Sequence, residues 1–199
     1  MYDEILFHGS NKIRGDEIID NQEMQVTIGD KHWLGNGNYY FEEEFYAYKW
    51  IVDMCSNRYK TQDCEILGEL YLVLQCNVST SKQRVLDLTK AGFKILYDLT
   101  YKEIKDKKEL SKRFASQQVA EGVVINYMFN ELDYSSDFDL VKAIFTFNRG
   151  NYRGVKSRLG YMPQVQICVK NVEIVKDIIK LDYEDKLLQF EYMLEHFSF

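Results

Sequence analysis

With 199 residues, 46% of them hydrophobic and 15% aromatic, the chain is long enough to close one core, and no composition shift divides it. Its formal net charge of −6, from 25 basic and 31 acidic residues, excludes a broad electrostatic footprint for nucleic acid, though not a local one. One proline, no low-complexity tract, no leader segment and no apolar run near the roughly 18 residues of a membrane span predict a single soluble, cytoplasmic domain over 1–199 with no membrane partner.

The first apolar run ends in Leu6-Phe7-His8-Gly9-Ser10, which predicts a strand delivering an imidazole at its end beside a glycine whose backbone a ligand could reach. A polar stretch from Asn11 to Lys31 follows, with Ile13, Ile18 and Ile19 spaced for one or two helical turns. Then comes His32-Trp33-Leu34-Gly35-Asn36-Gly37-Asn38-Tyr39-Tyr40-Phe41. Two glycines one residue apart ahead of three aromatics predict a turn that feeds an aromatic strand, because glycine admits positive φ and close backbone approach. Glu42-Glu43-Glu44 next favours the positive end of a helix dipole. Phe45, Ala47, Tyr48, Trp50, Ile51 and Met54 recur at three and four, predicting a helix of about twelve to fourteen residues.

Glu69 to Cys76 and Arg84 to Leu88 read as strands. Leu110 to Leu132 carries a helical apolar period with Gly122 inside it, a point where the helix could break. Leu140 to Phe147 and Val165 to Val169 are further strands, and Asp182 to His196 is a helix. Between those last strands lies a glycine-rich basic loop, Asn148 to Pro163, whose Arg149, Tyr152, Arg153 and Arg158 suit a phosphate-bearing partner through charge and stacking, or form an ordinary solvated loop. Cys55, Cys64, Cys76 and Cys168 lack a metal-like spacing, and the three histidines lie far apart, so reduced thiols and no metal site are expected.

The ordered set His8-Gly9-Ser10, Trp33-Leu34-Gly35-Asn36-Gly37-Asn38-Tyr39, Glu42, Ala47 with Trp50, Asp87-Leu88-Thr89 and Gln166-Ile167-Cys168-Val169-Lys170-Asn171 spans nearly the whole chain. It resembles the histidine–tyrosine branch of the ADP-ribosyltransferase fold, which includes the poly-ADP-ribose polymerases and diphtheria toxin. It resembles still more a group of small bacterial proteins of unassigned function. The resemblance implies an α+β domain of two packed, mostly antiparallel sheets forming a central NAD cleft, flanked by helices.

The same resemblance implies NAD as substrate and no metal, with His8, Gly9, Ser10, Gly37, Tyr39, Ala47 and Trp50 at the cofactor and Arg149, Tyr152, Arg153 and Arg158 at the acceptor. His8 would hold the adenosine-side ribose, Gly9 the nicotinamide amide, and Tyr39 and Trp50 the two faces of the ring. The catalytic set would be His8, Tyr39 and Gln166. Catalytic relatives carry a glutamate where Gln166 stands, and a glutamine brings no charge to a developing cation. Glu121 or Glu42 could serve instead. The activity implied is transfer of a single ADP-ribose to a protein or nucleic-acid acceptor, or NAD hydrolysis, in the manner of a bacterial toxin or phage-defence effector with a neutralising partner protein. The alternative is an inactive NAD-, nucleotide- or protein-binding domain of the same fold.

Overall fold

The structure, a computed structural model, describes residues 1–29, 32–60, 64–106, 120–148 and 161–196. Strand β1 (Tyr2–Asn11) runs directly into helix α1 (Lys12–Asn21), where the Asn11 side-chain oxygen accepts the Arg14 N–H at 3.0 Å and caps the first turn. His8 therefore lies inside a strand and not at its end: Gly9, Ser10 and Asn11 continue the ladder against Val73, Leu72 and Tyr71. The glycine turn leads, as expected, into an aromatic strand, β2 (Asn38–Phe41). Helix α2 (Glu44–Tyr59) outruns the expected length by about a turn, ending on Lys60 in the left-handed conformation.

Helix α3 (Cys64–Leu70) takes Glu69 and Leu70, so β3 (Tyr71–Thr80) starts later than its apolar run suggests. Short β4 (Val85–Asp87) is followed by α4 (Ala91–Asp106), which buries Tyr97, Thr100 and Ile104 at intervals of three and four. Helix α5 (Ala120–Glu131) runs unbroken through Gly122, and α6 (Tyr134–Asp137) is a single turn. Strands β5 (Leu140–Asn148) and β6 (Tyr161–Val169) pair along their whole length, from Leu140↔Val169 to Asn148↔Tyr161. The rest of the basic loop lies outside the described residues, and with it Arg149, Tyr152, Arg153 and Arg158. Strand β7 (Val175–Leu181) and helix α7 (Glu184–His196) complete the fold.

The strands form one sheet in the order β4-β5-β6-β2-β1-β3-β7, antiparallel except for the β4–β5 pair. This corrects the expectation of two packed sheets. The two halves join at β1 and β2, whose ladder holds the single pair Phe7↔Phe41 because β2 has only four residues and pairs mainly with β6. Alternation then sends one set of side chains to each face. On one face Leu6, Tyr40, Leu74, Ile167 and Val169 form a continuous core under Ile18 of α1. On the other are two cores: Val141, Ala143 and Cys168 under α4 and α5, and Phe41, Tyr71 and Val73 under α2 and α7. Among the described residues no helix is long and apolar enough to cross a membrane.

Candidate functional site

The turn ahead of β2 is held from every side. Gly35 and Gly37 take φ of 73° and 149°, and the Gly35 N–H closes the turn on the His32 carbonyl at 3.1 Å. The Tyr39 hydroxyl reaches back into it, donating to the Gly35 carbonyl at 2.6 Å and accepting the Leu34 N–H at 2.8 Å. Lys170 Nζ donates to the carbonyls of Leu34, at 2.7 Å, and Asn36, while Asn126 Oδ1 accepts the Asn36 N–H at 2.7 Å. Burial holds that ammonium below the ordinary lysine range, and it is stabilised by these carbonyls. Helix α5 comes so close that a Cβ on Gly122 would stand 1.8 Å from the His32 carbonyl oxygen. That contact is why a glycine sits mid-helix there.

Across the junction of the sheet halves, His8 Nδ1–H donates to the Tyr39 carbonyl at 2.6 Å, and its ring lies 5.7 Å from that of Tyr40. Burial pushes this imidazole down to about 4, the backbone hydrogen bond opposing only in part, so His8 is neutral at pH 7.

Between the two cores of the second face lies a cavity of about 610 Å³, within the usual size of a ligand site. Trp33, Tyr39, Phe41, Tyr46 and Trp50 give it aromatic walls, and His32, Lys49, Asp53, Gln164 and Gln166 its polar groups. Its floor is β2 and β6, where Gln166 stands opposite Phe41 in register. The wall from α2 is a stripe at 46, 49, 50 and 53, spacings that share one helical face. Trp50 lies over Gly9, whose Cβ, if present, would come 2.5 Å from Trp50 Cε3. Lys49, with a side chain 8% exposed, forms an ion pair with Asp53 one turn on. The Tyr46 hydroxyl donates to the Pro163 carbonyl at 2.9 Å, tying α2 to β6. On the opposite wall Trp33 packs on Phe145 at 4.7 Å, and His32 meets the Tyr39 ring edge-on at 5.5 Å. Burial and the nearby Lys170 lower the His32 imidazole, and its Nδ1 is buried without a hydrogen-bond partner among the described residues.

An uncharacterized protein of the archaeon Methanocaldococcus jannaschii is 35% identical over 199 residues, a match covering 93% of this chain and 90% of that protein. The chain belongs to that protein's family. The similarity extends over too much of the chain to be confined to one wall of the cavity. No family model matches the chain, and no solved structure matches it.

Of the residues singled out in the sequence, Tyr39, Trp50 and Gln166 line the cavity together, with Gly9 beneath Trp50. His8, Ser10, Gly37 and Ala47 are not among the lining residues: Ser10 and Ala47 are buried, and a Cβ on Gly37 would meet Cys168 Sγ at 2.4 Å. Glu42 pairs with Lys142, and Glu121 lines a separate cavity of about 390 Å³ with Thr89, Lys94 and Tyr97. Two other motif pieces are structural. The Asp87 carboxylate accepts the Thr89 N–H and hydroxyl at 3.0 and 2.6 Å just before α4, and Asn171 donates to Asp139 at 3.0 Å. Sequence reasoning gave no role to His32, Trp33 or Phe41 and missed Gln164, Tyr46, Lys49 and Asp53. The last two were within reach, since the 46-49-50-53 spacing puts them beside Trp50 on any helix.

Proposed function

We propose that this cavity takes the nicotinamide riboside end of NAD and that the chain transfers ADP-ribose from it to an acceptor or to water. The observation that carries this is the convergence of Tyr39 and Trp50, from consecutive elements, with the sequence-distant Gln166 on one aromatic cavity over Gly9. Flat aromatic walls suit a planar amide-bearing ring, and a few convergent polar groups suit its ribose. Tyr39 contributes its ring, since its hydroxyl is spent on the turn. Trp50 is the second aromatic surface, and Gln166 can hold a ribose hydroxyl. His8, with Nδ1 committed to Tyr39 and its ring beside Tyr40 on the closed face, stays outside the cavity and ties β1 to β2 instead.

The uncharged Gln166 favours a second reading, a domain that binds NAD without turning it over. Isotope-labelled NAD incubated with the purified chain, with and without cell lysate, separates the two. Nicotinamide release that disappears in Trp50→Ala supports the enzyme, and label carried onto macromolecules names the acceptor class. NAD binding with no release supports the binder, and the absence of both ends the proposal.

A further inference from the structure

Catalysis at this site lacks a carboxylate on β6, and the α2 wall holds one. We propose that Asp53 supplies the negative charge that Gln166 cannot, with Lys49 as the residue that positions it. The assignment rests on the NAD proposal above.

Asp53 is the acid among the described residues lining the cavity, and Gln166 lines the same space. It lies on the helical stripe that carries Trp50, so a ring stacked on the indole brings its ribose toward the next turn of α2. Its side chain is 44% exposed while that of its partner Lys49 is 8% exposed. A buried ammonium thus fixes a carboxylate that still opens to the cavity, which restricts its rotamers before a ligand arrives. The acids suggested by sequence do not compete: Glu42, paired with Lys142, is not among the residues lining this cavity, and Glu121 lines the other one.

The step balances without a further reagent. The bond from ribose C1′ to the nicotinamide nitrogen breaks, its electron pair passes to that nitrogen, and the ring's positive charge is cancelled as neutral nicotinamide leaves. Asp53 stabilises the positive charge that develops on the sugar. The acceptor or water oxygen then bonds to C1′, its proton passing to the Asp53 carboxylate and on to solvent.

The test compares wild type, Asp53→Asn, Gln166→Glu and the double variant for NAD affinity by calorimetry and for nicotinamide release. Asp53→Asn should bind NAD within about threefold of wild type but release nicotinamide about 100-fold more slowly, the usual cost of removing one preorganised electrostatic partner. Gln166→Glu restores a carboxylate on β6, so the double variant should recover to within about tenfold of wild type, a rescue that a merely structural role for Asp53 would not give. Undiminished release in Asp53→Asn, or equal slowness in the single and double variants, overturns the assignment. NAD binding by wild type without release also overturns it while leaving the binding proposal standing, and no binding by wild type overturns both.

Discussion

The two faces of the sheet are built from alternate residues of the same strands and end up doing different work. Tyr40 and Ile167 point into one continuous core closed by α1, and Tyr40 is 1% exposed. Their chain neighbours Tyr39, Phe41 and Gln166 point into the gap between two cores. The first face is close-packed, whereas the second leaves an open cleft lined by aromatics and a few polar groups, the make-up of a ligand site. The closed face holds the fold, and the open face is free to bind.

The largest effect that can break this contrast is a truncation on each face. Tyr40→Ala removes a fully buried ring and should cost about 3–5 kcal/mol in urea unfolding, the range for aromatic-to-alanine changes in cores. Trp50→Ala, at the rim of an existing cavity, should cost clearly less yet abolish NAD binding. Equal destabilisation by the two would mean that the open face is simply core.

Next in size is the junction of the sheet halves, where His8 stays neutral. The unfolded imidazole titrates near 6.5 and the folded one near 4. Between those values the unfolded chain binds the extra proton, so stability is complete above pH 6.5, falls as pH drops toward 4, and levels off below. The loss should be about 3 kcal/mol, and His8→Gln should erase it. Asp139, which accepts from Arg84, Thr80 and Asn171, is held down to about 2 against its usual 3.8. Its contribution is present above 3.8 and lost as pH falls toward 2, so the two steps occupy separate windows. A pH titration of the unfolding free energy that is flat from 6.5 to 4 would remove His8 from the account.

Gly122 gives the third test. In an exposed helix interior, glycine to alanine gains about 1 kcal/mol. Here the added Cβ meets the His32 carbonyl, so Gly122→Ala should instead cost about 1–3 kcal/mol and weaken NAD binding by displacing the turn that carries His32 and Tyr39. A stabilised variant would show that the turn is not pinned by α5.

That position also marks where local sequence stops being informative. Propensity alone made Gly122 a breaking point, because the cause of the glycine is a backbone 90 residues away in the chain. The β1, β2, α2, β5 and β6 elements were legible from apolar period and turn residues, and they carry Tyr39, Trp50 and Gln166. Strand β7 was not, because Asp177 at a φ of 53° and the register shift opposite Gln75 and Asn77 break its alternation. Helix α4 hid behind exposed Ile95 and Leu99 mixed among its buried positions. The single sheet was illegible because it depends on one pair, Phe7↔Phe41. Asp53 could have been found from spacing but not its role, which depends on where Glu42 and Glu121 go in three dimensions.

The smallest effect on stability is the sharpest on function. Gln166 lines the cavity and its side chain makes no hydrogen bond to the other described residues, so Gln166→Leu keeps its volume and its place in the ladder and should shift unfolding by no more than about 0.5 kcal/mol. If its amide holds a ribose hydroxyl, the same change should weaken NAD binding about tenfold, the value of one hydrogen bond lost in a closed site. Its floor partner Phe41, across the β2–β6 ladder, can report whether the cavity itself has changed, through proton shifts measured without ligand. Unchanged Phe41 shifts with a tenfold loss of affinity put the ligand against β6. Unchanged shifts with unchanged affinity would make Gln166 a cavity wall and nothing more, and would leave the binding to the α2 side and the turn.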